Sequence, residues 1–175
     1  VQNQTSGTLH KLQWLLAIPI ILLVFGLAFS RMLTDALWFD EVLTHIHSGT
    51  GGLERLSIID ILFITATNDR AWPPLYYLLN YAWSFFTGDS LLSGHLLPAY
   101  FGLLTVALGY RLGKELISST GGLFTALLIG TSAFFVYFLH ETRAYTMYVF
   151  FIVLLIWLYW QIINRPNYKV RWLRW

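Results

Sequence analysis

The chain has 175 residues, of which 57% are hydrophobic, 18% aromatic and 11% charged, with a net charge of +2. A soluble domain carries roughly 25% charged residues, so this is the composition of a membrane protein. The small net charge argues against a nucleic-acid partner, and the lack of cysteine excludes disulfides, thiolate catalysis and Cys-ligated zinc.

Residues 1–11 are polar and end in His10-Lys11. They are read as a cytoplasmic tail, on which the glycosylation pattern Asn3-Gln4-Thr5 is a chance match. Residues 12–30 form an uncharged run long enough to cross a bilayer core of roughly 30 Å. The rival reading is a signal peptide cleaved near Ala28-Phe29-Ser30, but the run exceeds the ~7–15 residues of a signal core.

Residues 31–70 hold nine of the twenty Asp, Glu, Lys and Arg residues, which makes this the water-facing segment. It contains Trp38-Phe39-Asp40-Glu41, then His45 and His47, then the breaker Gly49-Thr50-Gly51-Gly52. In 53–64, Glu54, Ser57 and Asp60 recur at helical spacing among apolar residues. That pattern predicts a helix on the membrane surface, or a core-facing helix of a small extramembrane layer. Pro73-Pro74 can only open a helix. A helix over 73–87 would measure about 22 Å, too short for a comfortable span. Three more charge-free runs follow at 90–110, 116–139 and 144–164. The first is closed by Arg111 and Lys114, the second by His140-Glu141-Thr142-Arg143, and the third by the basic residues of 165–174.

Basic residues gather on the cytoplasmic side of a membrane. If 12–30, 90–110, 116–139 and 144–164 span and 73–87 does not, Lys11, Arg111/Lys114 and 165–174 all fall inside. Asp40-Glu41 and Glu141-Arg143 then share the outer face. A cavity there would also receive Trp72, Tyr76, Tyr77 and Arg70. A carboxylate in it can act as a general base, an arginine can hold a phosphate, and aromatic rings can stack on a sugar.

Each residue also has a plainer reading. Asp40-Glu41 could be a solvated pair or a helix cap, and Glu141 with Arg143 an ion pair at a helix end. Tyr76 and Tyr77 could be interfacial anchors. His95, inside an apolar run, is of the kind that bonds a neighbouring helix. Gly121-Gly122 suits close helix packing or a turn. Asp40, His45 and His47 are a loosely spaced candidate for a divalent metal.

Four stretches in order carry a family resemblance: Trp38-Phe39-Asp40-Glu41, Trp72-Pro73-Pro74-Leu75-Tyr76-Tyr77, Leu97-Pro98-Ala99-Tyr100-Phe101-Gly102-Leu103-Leu104-Thr105-Val106 and His140-Glu141-Thr142-Arg143-Ala144-Tyr145. Together, over about residues 12–165, they resemble the N-terminal part of family 39-like membrane glycosyltransferases, such as protein O-mannosyltransferases and aminoarabinose transferases. The resemblance implies an all-α integral membrane protein, a GT-C-like transmembrane helix bundle with interfacial helices in the first external loop. It implies Asp40 as catalytic base or acceptor positioner, supported by Glu41. Glu141 and Arg143 would organise the site or the donor phosphate, with His140 standing where the family usually has Gln. Trp72 replaces a common His, and His95-Leu96 stands where an Arg commonly precedes Leu-Pro. Family members usually have several hundred residues and more spans, so the chain is read as a piece of a longer protein that continues past the basic segment 166–175.

The expected activity is transfer of a sugar from a polyprenyl-phosphate-linked donor to a lipid, protein or polysaccharide acceptor. The expected location is the plasma (inner) membrane, multi-pass, with the catalytic face outside the cytoplasm. A transporter or flippase segment and a non-catalytic assembly subunit are the alternatives from other classes.

Overall fold

The computed structural model describes residues 13–32, 36–68 and 73–164, and every regular element among them is helical. A 3-10 turn, Gln13–Leu16, leads into α1, Ala17–Met32. Then come α2 (Phe39–Ser48), α3 (Ile58–Asn68), α4 (Leu75–Thr87), α5 (Leu91–Leu116), α6 (Ser119–Thr131), α7 (Ala133–Phe138) and α8 (Tyr145–Asn164). Among the described residues two helices, α5 and α8, are long and apolar enough to cross a membrane.

The long helices pack around α5. Val24, Ala28 and Met32 lie on one face of α1 and meet Ala99 and Val106 of α5, Ala126 of α6, and Phe135 and Leu139. The other face of α1 leaves Leu22, Leu23, Phe25 and Phe29 exposed, so this helix is apolar all round. Ile117 and Ser118 turn α5 back into α6, and the Ser118 hydroxyl caps α6 by accepting from the Gly121 N–H at 3.1 Å. Small residues let the two helices approach closely. A Cβ on Gly122 would lie 2.5 Å from the Tyr110 carbonyl oxygen, and one on Gly113 would lie 2.4 Å from Thr125 Oγ1. Close packing is thus the role of Gly122. α8 runs back along α5 and buries Met147 against Leu97 and Tyr76. Near its far end Gln161 donates to Glu115 of α5.

These contacts fix which ends lie together. The end of α1, the start of α2, the start of α5, the 140–143 segment and the start of α8 meet at one end of the bundle. Arg111, Glu115 and Gln161 mark the other. α4 stays at the first end. Its Trp83 donates to the Ser93 carbonyl at 2.9 Å and stacks on Tyr100, and its Tyr76 packs on Leu97.

Two elements depart from expectation. The run 116–139 is not one helix: it breaks at Ser132, whose ψ of 123° leaves the helical region. The Thr131 hydroxyl bonds back to the Leu127 carbonyl at 2.7 Å, as Thr105 does to Phe101 within the unbroken α5, so this bond by itself does not end the helix. The helix expected over 53–64 begins instead at Ile58. Ser57 and Asp60 form a reciprocal cap: the Ser57 hydroxyl accepts from the Asp60 N–H at 3.1 Å, and Asp60 Oδ2 accepts from the Ser57 N–H at 3.2 Å.

α2 has its polarity reversed. Glu41, Thr44, His45 and Ser48 are buried, while Phe39, Val42 and Ile46 point outward. The inward side is satisfied by a polar seam. Thr50 Oγ1 meets His45 Nδ1 at 2.8 Å and Ser48 Oγ at 2.9 Å, and Asn80 Nδ2 donates to both hydroxyls at 3.1 Å. Left-handed Gly49, at φ 61°, ends α2 and lets the Thr50 N–H reach the His45 carbonyl at 3.0 Å.

Candidate functional site

The site is built where α2 meets the 140–143 segment. Asp40 and Glu41 are adjacent, yet they do different things. Asp40 lies in the first turn of α2 with its side chain 32% exposed, and its Oδ2 is 3.6 Å from Arg143 Nη2. Arg143 also donates through Nη1 to the Asp40 carbonyl and to Thr44 Oγ1, each at 3.2 Å. The guanidinium therefore grips the backbone of α2 as well as the carboxylate.

Glu41 faces inward and its side chain is only 5% exposed. Its Oε1 accepts from the Thr142 N–H at 2.7 Å and lies 3.2 Å from His95 Nε2. Its Oε2 accepts from the Trp38 N–H at 3.2 Å. Burial pushes this carboxyl up, but the bonds from His95, Thr142 and Trp38 outweigh it and hold the group below its ordinary value. Glu41 is thus buried and bonded to its surroundings, and Asp40 is the more exposed of the two carboxylates.

Glu141 is buried, and its Oε2 has no hydrogen-bond partner among the described residues. Burial is the main cause that pushes its pKa up to about 7, reinforced by Glu41 and Asp40 and opposed by Tyr137 and Arg143. A carboxyl poised there can take and return a proton at neutral pH. Because its folded value lies above the ordinary 4.5, the folded protein binds the extra proton, and stability falls as pH rises between 4.5 and about 7. Glu141→Gln is expected to cancel that slope. Thermal midpoints of the two proteins should be close near pH 4.5 and diverge in favour of Gln up to pH 7. Parallel curves would remove the assignment.

A cleft of about 390 Å³ opens between α1 and α7, lined by Leu27, Ser30, Thr131, Val136, Tyr137 and His140 among others. The His140 ring meets Tyr137 edge-on at 6.0 Å.

Other expected residues are placed differently. Tyr76 and Tyr77 are buried, and with Thr44, Arg143 and Ala144 they close up with no room for a water molecule. They are packing residues in this arrangement, not an open sugar platform. Arg70 and Trp72 lie outside the described residues. Asp40, His45 and His47 do not converge on a metal, and no group of three such ligands exists among the described residues. Asp40 is turned to Arg143 and His45 Nδ1 to Thr50, while the His47 ring meets Tyr77 at 5.8 Å. Burial holds His45 below its ordinary value, against the pull of Glu41 and with the push of His95.

Sequence reasoning missed the Ser48–Thr50–Asn80 seam. Its one signal was an asparagine, Asn80, inside an apolar helix. His95 does bond a neighbouring helix as expected, through Nδ1 to the Met32 carbonyl at 3.2 Å. Comparison with protein-family models, with curated proteins and with solved structures gives no match to this chain.

Proposed function

We propose that this chain is the N-terminal part of a GT-C-like membrane glycosyltransferase that moves a sugar from a polyprenyl-phosphate donor to an acceptor at the outer face of the inner membrane. One observation carries the reading: Asp40 and Arg143, 103 residues apart, meet at one end of the helices. The basic Arg111 and Lys114 belong to the opposite end, where a cytoplasmic face would lie.

In the reaction Asp40 accepts the proton of an acceptor hydroxyl or amine. The acceptor atom bonds to the anomeric carbon as the bond from that carbon to the phosphate oxygen breaks. Polyprenyl phosphate leaves, and Arg143 balances its charge. The Asp40–Arg143 contact of 3.6 Å is loose. A donor phosphate that draws Arg143 to itself frees Asp40 for the proton. The cleft between α1 and α7, lined by apolar Leu27, Ala133 and Val136 together with polar Ser30, Tyr137 and His140, suits a lipid-linked substrate. Exposed Ile59 and Phe63 of α3 suit a helix lying in the interface.

Sidedness tests the reading. Thr44 and Thr142 are fully buried, so reporter cysteines belong at exposed Ser57, Ser118 and Asn164. With a membrane-impermeant maleimide on intact cells, Ser57→Cys should label from outside and the other two only after permeabilisation. Vesicles carrying the purified protein should release polyprenyl phosphate from the donor on the Ser57 side. Labelling of Ser118→Cys from outside, or no release with any polyprenyl-phosphate sugar, overturns it.

A further inference from the structure

Another cleft, of about 360 Å³, lies at the end of the bundle away from Asp40, along the last turns of α5. Ala107, Tyr110, Arg111, Lys114 and Glu115 line it. Their spacing of three and four residues puts them on one face of the helix. Two cations stand there with a single acid, and that acid is already occupied. Glu115 Oε1 lies 3.2 Å from Arg111 Nε, and Glu115 Oε2 accepts from Gln161 of α8. The Arg111 guanidinium is also held 5.0 Å from the centre of the Trp157 ring. Its pair with Glu115 uses Nε alone, so both Nη groups remain to donate, and the side chain is 58% exposed. Lys114 is exposed and makes no ion pair among the described residues.

We propose that this cleft holds the phosphate of an anionic phospholipid of the surrounding leaflet, bound by Arg111 and Lys114. A guanidinium fixed through Nε and by a ring presents its two Nη groups as a fork that matches two phosphate oxygens. Lys114, one turn on, adds a point charge. The place of the cleft selects a lipid. α5 is long and apolar enough to cross a bilayer, and Arg111 and Lys114 fall in its last two turns, level with head groups. Leu116 and Ile117 follow Lys114 and are exposed, as are Ile162 and Ile163 on the last turn of α8, which the Glu115–Gln161 bond brings to the same end. Apolar surface beside a phosphate site suits acyl chains, and basic pockets at the ends of spanning helices take lipid head groups in this way.

A plainer account is that Lys114, in the last turn, offsets the negative end of α5 and that Arg111 serves only Glu115. It gives the Arg111 Nη groups nothing to bind, and it expects no preference between one lipid and another. That difference is what the experiment reads.

The proposal rests on the membrane-spanning part of the functional reading and not on sugar transfer. Native mass spectrometry of the intact chain in a neutral detergent, titrated with phosphatidylglycerol or with phosphatidylcholine of the same acyl chains, measures the two affinities. The parent should bind phosphatidylglycerol roughly ten- to thirtyfold more tightly, the share of two basic residues at a membrane surface. Lys114→Gln, which breaks no ion pair among the described residues, should cut that preference about fivefold without moving the thermal midpoint. Adding Arg111→Gln should abolish it. Equal affinity of the parent for the two lipids, or an unchanged preference in Lys114→Gln, overturns the proposal. Inorganic phosphate that displaces phosphatidylglycerol at equal concentration overturns it in favour of a free anion. A poly-glutamate peptide that binds more tightly than the lipid overturns it in favour of an acidic protein. A parent that keeps the lipid preference but transfers no sugar from any polyprenyl-phosphate donor sinks the transferase reading alone.

Discussion

Replacing Asp40 by Asn is expected to slow sugar transfer by roughly 10²–10⁴-fold, the usual contribution of a general base. The amide has almost the same shape and cannot take the acceptor's proton. The fold should not notice, because Arg143 keeps its bonds to the Asp40 carbonyl and to Thr44 Oγ1. Initial rates at saturating donor, with thermal midpoints alongside, check both halves. A rate within threefold of the parent would take the catalytic role away from Asp40. An unchanged rate would also favour an assembly subunit over an enzyme.

The neighbouring carboxylate should respond in the opposite way. Glu41→Ala is expected to cost about 1–3 kcal/mol of stability for each buried group it leaves without a partner. It strands the Thr142 and Trp38 N–H groups and leaves the His95 side chain without its carboxylate. Glu41→Gln keeps the shape and one acceptor oxygen and should cost less. Equilibrium denaturation in mild detergent measures both. A loss below about 1 kcal/mol for Ala would mean that the pair is solvated and worth no more than a surface contact. Two adjacent acids would thus divide the work, one kept for chemistry and one for the frame.

That division could not be read from Asp40-Glu41 as a string, because it depends on which side of α2 faces His95 and Thr142. The coarse plan was more legible. Charge-free runs predicted the helices at 12–30, 90–110 and 144–164, and helices are found at Ala17–Met32, Leu91–Leu116 and Tyr145–Asn164. Counting those runs together with the one at 116–139 put residues 40–41 and 141–143 at one end, where a 2.7 Å hydrogen bond joins Glu41 to Thr142. Local detail was harder to see. The break at Ser132 comes from a single non-helical backbone angle in an apolar stretch that reads as continuous. The start of α3 was written in Ser57-Ile58-Ile59-Asp60, but the even spacing of polar residues from Glu54 masked it. Apolar runs announce length; they say little about where they break or which polar atoms meet inside.

The reversed polarity of α2 bears on how this segment can drift over generations. Its outward residues, Phe39, Val42 and Ile46, are exposed and need only be apolar, so other apolar residues would serve there. Its inward residues are bound atom to atom: Thr44 to Arg143, His45 to Thr50, Ser48 to Asn80. Changing one of those hydroxyls to a methyl group of equal size would leave its partner wanting, at about 1–3 kcal/mol for each stranded group. The customary rule, that greasy positions are fixed and hydrophilic ones are free, is turned over along these ten residues. An inventory of tolerated substitutions in α2 would look like that of a soluble amphipathic helix with its two faces exchanged.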